Sequence, residues 1–160
     1  MAGERSESGV RKNRYLTFYL EKELYGIDIM SVQEIIAMMK TTAVPKTPKC
    51  VKGVMNLRGN IIPVVELRTK FEMPMKDPEM HTAIIIVKIS GTSIGFIVDQ
   101  VEEVVNLGDD QLSDPPQFGS SVNAAYLKKM AQNENEVIMI LNLDAIFADE
   151  ELAGLENITK

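Results

Sequence analysis

Residues 53–68 read GVMNLRGNIIPVVELR. Two apolar runs flank the polar centre Asn56-Leu57-Arg58-Gly59-Asn60. Gly59-Asn60 is a two-residue hairpin signal, and with glycine first it predicts a type II′ turn between two strands. In NIIPVV consecutive side chains point to opposite faces, yet both faces are apolar. One face can fill a small barrel. The other must meet a second lobe of the same protein, or form a groove that receives a partner. Pro63 has no N–H for a sheet ladder, so its strand is expected to have an open edge there or to end. Arg58 is costly to bury, but beside the turn its guanidinium reaches the surface while its stem packs on the strand.

The stretch recurs along the chain. IIPVVELRTKF from Ile61 resembles VIMILNLDAIF from Val137. Upstream, YGIDIMSVQEII from Tyr25 resembles IGFIVDQVEEVV from Ile94. In that second alignment Gly26 meets Gly95, Val32 meets Val101, Glu34 meets Glu103, and Ile35-Ile36 meet Val104-Val105. The same offset lays YLTFYL from Tyr15 over IIIVKI from Ile84. Two blocks recurring in the same order point to tandem duplication, with about seven extra residues in the second copy somewhere within 106–136.

Each copy reads as a small β unit. Tyr15–Leu20 and Ala83–Ile89 are rich in β-branched and aromatic residues, and each is followed by a short turn and a second strand. The expected fold is all-β with short helices: two small antiparallel barrels, lobe one over about 14–71 and lobe two over about 82–148. ELRTKF (66–71) and NLDAIFADEELAGLE (142–156) are the expected helices, with 149–160 a C-terminal helix and tail. Residues 1–13 are expected to be a disordered tail. EMPMKDPEMH (72–81) joins the copies, and LGDDQLSDPPQFGSS (107–121) is a long loop in the second.

Composition narrows the function classes. The chain has 160 residues, 45% hydrophobic and 25% charged, ordinary for one domain or two small lobes. No apolar run approaches the roughly 18–20 residues that span a bilayer. The start, MAGERSESGVRKNR, lacks the apolar core of a secretory signal. Cys50 stands alone, so no internal disulfide is possible and a reducing, cytoplasmic setting is expected. A net charge of −6 argues against general nucleic-acid binding. The charge is uneven: residues 38–76 carry net +6 and residues 77–160 net −11.

Catalytic patterns are missing. There is no phosphate-binding G-x-x-x-x-G-K-[ST] and no G-x-G-x-x-G. A zinc site needs several His or Cys ligands, and the chain has one of each. His81 has no visible catalytic partner and reads as an exposed strand-start residue; Cys50 reads as a small semi-buried side chain. Asp109-Asp110 and Glu102-Glu103 read as solvated surface. No catalytic residue, metal or cofactor is expected. A docking protein and a small-barrel enzyme or ligand-binding protein with an unrecognised site both remain open.

YGIDIMSVQEI, VKGVMNLRGNIIPVVELRTKF and GFIVDQVEEVV together resemble the CheW family of bacterial chemotaxis coupling proteins, over about residues 14–148. The resemblance implies two pseudo-symmetric five-stranded barrels of the Src-homology-three type. It implies a non-catalytic adaptor that bridges methyl-accepting chemotaxis receptors to the histidine kinase CheA, in the cytoplasm at receptor arrays beneath the inner membrane, with no membrane insertion of its own. By motif position it assigns receptor binding to Val32, Glu34, Gly95, Val101 and Val104, with Arg58 nearby. Arg58 then either holds its loop or contacts the receptor directly. Val44, Pro45, Gly53 and Val54 match the surface that meets the kinase's regulatory domain. Asn56, Leu57 and Gly59 carry the hairpin motif. The stretch 106–136 has no motif specific enough to carry a role.

Overall fold

The computed structural model describes residues 12–115 and 125–158. Eleven strands dominate them: β1 Lys12–Leu20, β2 Glu23–Asp28, β3 Val32–Ala37, β4 Val51–Leu57, β5 Asn60–Glu66, β6 Ala83–Ile89, β7 Thr92–Val98, β8 Gln100–Gly108, β9 Leu112–Ser113, β10 Leu127–Asn133 and β11 Glu136–Leu141. Helices are short: α1 Leu67–Lys70, α2 Leu143–Ile146 and α3 Asp149–Ile158, plus 3₁₀ turns at Ile29–Ser31 and Asp109–Gln111. The expected helix over 142–156 is thus broken at Phe147. The tail expected over 1–13 yields its last two residues to β1; residues 1–11 lie outside the described residues. So does 116–121 of the expected loop 107–121, whose start instead completes β8 and forms a 3₁₀ turn and β9.

The strands form two sheets, one ordered β8-β1-β2-β11-β10-β9 and the other β3-β6-β7-β5-β4. Matching β1–β5 to β6, β7, β8, β10 and β11 turns one order into the other, apart from the added two-residue β9. The duplication is therefore visible in three dimensions. Gly26 pairs with Ile140 in the parallel β2–β11 ladder. Its repeat-mate Gly95 pairs with Val64, the repeat-mate of Ile140, in the parallel β5–β7 ladder.

The lobe boundaries differ from expectation. Neither sheet is built from one contiguous copy. Each takes the first hairpin of one copy and the remaining three strands of the other. The physical reason is that a two-residue turn fixes only which neighbours form a hairpin. Which hairpin the third strand joins is decided by long-range packing, and two similar copies offer it equivalent partners.

The two-faced apolar strands are explained by three layers. The largest core lies between the sheets and joins Leu16, Phe18 and Ile27 of one to Val65, Ile85 and Phe96 of the other, with Leu67, Phe71, Phe147 and Leu155 from the helical segments. Tyr15, Leu107, Ile138 and Ile140 fill the opposite face of the first sheet. Met55, Ile62, Val64, Ile84 and Ile86 fill that of the second. So Ile84 and Ile86 face one layer while Ile85 and Val87 face the other, as a period of two demands. Burial on this scale is the main force holding the strands in register.

The hairpin turn is shifted by one residue from the reading above. Leu57 pairs with Asn60, which leaves Arg58 and Gly59 as the turn. Both have positive φ, 53° and 91°, the signature of type I′ rather than II′. The Asn56 side-chain oxygen accepts the Gly59 N–H at 2.8 Å and steadies it. The strand does not end at Pro63; β5 runs to Glu66. Its pairing with β7 begins only at Val64, so the β7-facing edge is open at Pro63, where the missing N–H costs nothing.

Candidate functional site

β3 and β8 are repeat-mates, and each forms one end of its sheet. Both carry exposed apolar side chains. Val32 and Val101 are half-buried against the central core. Ile35 and Val104 point outward, 44% and 45% exposed. The end of β3 and the start of β8 border a hollow of ≈ 380 Å³, lined by Ile35, Ile36, Ala37, Gln100 and Val101 and walled by Met80–Thr82 and by Ala83 at the start of β6. Met80 stands almost free at this rim, 90% exposed.

A larger hollow of ≈ 580 Å³ lies across β3, with Gln33, Glu34, Arg58, Ile61 and Ser93 among its lining residues. Arg58 makes an ion pair with Glu34 while its side chain stays 66% exposed. The Ser93 hydroxyl donates to the Gln33 side-chain oxygen at 2.6 Å. Both Arg58 and Glu34 thus reach solvent, held toward each other by a pair worth about 0–1 kcal/mol in this setting.

The other sequence candidates fall in two groups. Gly95 is buried beneath this surface. A Cβ there would lie 2.9 Å from Ile84 Cγ2, so glycine is required by close approach of the β6 side chain. Gly53 is also structural: it sits at a bulge between β4 and β5 with φ +155°, and a Cβ would run into the Thr42 carbonyl. Thr42 and Val54 exchange backbone hydrogen bonds of 2.8 Å, which ties Thr42 to the outer edge of β4. Val44 and Val54 are half-buried there and Pro45 is exposed. Leu57 is half-buried on the second sheet's own core.

The opening stretch contains a second arginine, which sequence reasoning passed over. Arg68 is 3% exposed. Its Nε and Nη2 donate to the Asp99 carboxylate at 2.8 and 2.5 Å, and Nη1 donates to the Pro74 carbonyl at 2.9 Å and pairs with Glu21. Burial pushes the Asp99 carboxyl up, but the Arg68 bonds and the Glu21 N–H outweigh it and hold it below its ordinary value. Glu66, buried beside this cluster, is pushed up by desolvation despite Lys52 and Arg68. Lys70 is a third such group: it binds Glu151 of α3 at 2.8 Å and lies over the Tyr126 and Phe147 rings. The available signal was a lone acid, Asp99, directly after the apolar run GFIV.

Burial also pushes the Cys50 thiol up, away from a reactive thiolate. His81 is exposed. Among the described residues no three His, Cys, Asp or Glu side chains gather as a metal site, and no helix is long and apolar enough to cross a membrane.

Two sheets built by strand exchange between the copies, with apolar residues on matching edge strands, define a duplicated β scaffold. Residues 14–151 match the CheW-like domain, and the chain belongs to that family of chemotaxis scaffold proteins. The chemotaxis protein CheW of Klebsiella aerogenes is 32% identical over 146 residues, covering 91% of this chain and 88% of that one. CheW of Treponema pallidum is 29% identical over 147 residues, covering 89% and 86%. The crystal structure of the scaffolding protein TtCheW from Thermoanaerobacter tengcongensis superposes with a TM-score of 0.81 at 33% identity, covering 88% of this chain and 96% of that one.

Proposed function

We propose that this chain couples the cytoplasmic tips of methyl-accepting chemotaxis receptors to the regulatory domain of the histidine kinase CheA. It works in the cytoplasm at receptor arrays beneath the inner membrane. The observation that carries the reading is the pair of matched edge strands: β3 and β8 both keep outward aliphatic residues and border one hollow. Such an apolar groove suits an amphipathic helix, whose anchors recur every three or four residues. Val32, Val101 and Val104 supply apolar contact on this face. Glu34 and Arg58 supply exposed polar groups that orient the helix, and Gly95 acts from beneath by keeping β6 and β7 close.

The kinase side is assigned to the outer edge of β4, where Val44, Pro45 and Val54 form a small apolar ridge and Gly53 lets Thr42 lie against the sheet. The neighbouring lysines of the positive segment, Lys46 and Lys49, are exposed. They favour an acidic partner surface and mainly speed association. The test is binding of two variants, Val101→Glu and Val54→Glu, to a receptor cytoplasmic fragment and to the CheA regulatory domain. Val101→Glu is expected to weaken receptor binding and spare the kinase, and Val54→Glu the reverse. Folded variants that lose both partners equally, or neither, would defeat the assignment.

A further inference from the structure

The chain passes between the two sheets at two equivalent places, and these are built differently. From β2 to β3 it uses the three-residue turn Ile29–Ser31, whose Met30 is 87% exposed. From β7 to β8 it uses a single residue, Asp99. Val98 still pairs with Ala83 in one sheet, while Gln100 already pairs with Tyr19 in the other. Asp99 N–H donates to the Tyr19 carbonyl at 3.1 Å, and its carboxylate accepts the Glu21 N–H at 2.8 Å. The repeat offsets put Met30 opposite Asp99 and Asp144 opposite Arg68, so the duplication provides no second copy of this cluster.

Arg68 ties three separate segments to one point: the crossover at Asp99, the β1–β2 turn at Glu21, and the linker at the Pro74 carbonyl. The linker then folds back over the cluster, where Lys76–Glu79 and Thr82 close a small cavity against Glu66, Arg68 and Asp99. Two of these tied segments continue directly into walls of the hollow between β3 and β8. Asp99 precedes Gln100 and Val101, and the linker leads to Met80–Thr82. None of the groups that Arg68 binds lies on β4 or in residues 42–45.

We propose that Arg68 is a positioning residue for partner docking: its bidentate grip on Asp99 and its bond to Pro74 set the spacing of two walls of the β3–β8 hollow. This rests on the coupling reading above. A planar, forked guanidinium suits the task because it fixes direction as well as distance, which a lysine cannot do. The reach is short and local, since Asp99 is covalently next to the groove strand.

The experiment uses the full chain with Asp99→Asn and Arg68→Lys, so that a milder variant is available if one folds poorly. Amide exchange is measured across 76–82 and 99–102, with the β6–β7 ladder as the internal reference. Binding to a receptor cytoplasmic fragment and to the CheA regulatory domain is measured on the same samples. Breaking the grip is expected to speed exchange in both segments by about tenfold and weaken receptor binding by a similar factor, with kinase binding unchanged. Exchange that stays at parental rates, or that speeds up with receptor binding unaltered, overturns the proposal. So does equal loss of both partners, which marks general destabilisation. Failure of the unaltered chain to bind receptor defeats the coupling reading and the docking role with it; normal parental binding that survives both variants defeats the positioning role alone.

Discussion

Gly95→Ala is expected to lower stability by about 1–3 kcal/mol, the usual cost of forcing an extra methyl into a filled core. Backbone strain is not the reason, because Gly95 has no positive φ. The obstacle is Ile84 Cγ2 at 2.9 Å, with Met55 Cε at 3.5 Å and the Pro63 carbonyl at 3.7 Å. Ile84 is fully buried and β-branched, so its Cγ2 cannot swing away without changing a stiff χ1. The repeat-mate offers a control. A Cβ on Gly26 would meet Ile140 Cδ1 at 3.0 Å and Ile138 Cγ2 at 3.2 Å. The nearest atom there is the free end of a side chain, which can turn about χ2. Gly26→Ala also gains about 0.4–1 kcal/mol from a stiffer unfolded chain, so its net cost is expected to be under about 1 kcal/mol.

Urea unfolding of the two variants checks this directly. A further variant, Gly95→Ala with Ile84→Ala, removes the offending Cγ2. Ile84→Ala alone should cost about 2–5 kcal/mol through the cavity it leaves, and the added methyl at position 95 partly fills that cavity. The double variant should therefore lose less than the sum of the two single losses. A Gly95→Ala protein as stable as its parent, or a Gly26→Ala protein less stable than Gly95→Ala, would refute the account. The outcome also bears on the site, because loss of receptor binding in Gly95 variants is then expected to track stability and to take kinase binding with it.

Other expectations follow from particular contacts. Gly53→Ala drives a Cβ into the Thr42 backbone, which cannot rotate aside, and should cost at least about 2 kcal/mol and weaken kinase binding; denaturation plus a kinase pull-down reads both. Arg58→Ala with Glu34→Ala should show a coupling below about 1 kcal/mol in a stability double-mutant cycle, because the pair is exposed, while receptor affinity falls measurably. The folded-state pKa of Asp99 is depressed, so its contribution is present above the unfolded value of 3.8 and is lost as pH falls through the lower folded value; Asp99→Asn should flatten that acid limb in thermal melts from neutral pH to strongly acidic buffer. Lys70→Met removes the tie to Glu151 and should speed amide exchange in α3, leaving the sheet ladders unchanged.

What was legible in the sequence was what local chemistry fixes. The hairpin at 53–68, the repeat of Gly26 in Gly95, and the apolar character of both faces all follow from short stretches of sequence, and all of them reappear in the sheets. The turn falls one residue earlier than expected because Gly-Asn is itself a good hairpin signal, while an arginine at positive φ is a poor one, and Asn56 steadies the turn through the Gly59 N–H only in the folded chain. The exchange of strands between copies left no mark, since Val32 and Val101 sit in near-identical contexts and either third strand has the pattern to pair with either hairpin.

The two arginines of the opening stretch show the same limit at the level of single side chains. Each follows a leucine, Leu57-Arg58 in one case and Leu67-Arg68 in the other. The neighbouring turn signal marks Arg58 as exposed, but nothing local marks Arg68, 3% exposed, as buried. The difference is made by Asp99, in the second copy, and by Glu21, near the start of the first, which reach Arg68 only once the strands have exchanged. A buried guanidinium without these partners would cost several kcal/mol, so the cluster forms only with the exchanged topology and disfavours alternatives in which each copy folds on itself. Arg68 is thus expected to support specificity of fold as well as the spacing of the groove. A chain carrying Arg68→Met and Asp99→Leu, apolar at both ends, is the discriminating case. It should remain folded, and if the ion cluster selects the exchange, it should populate a second arrangement visible as extra amide resonances for β3 and β8. One native set of resonances from that variant would show that core packing alone selects the topology.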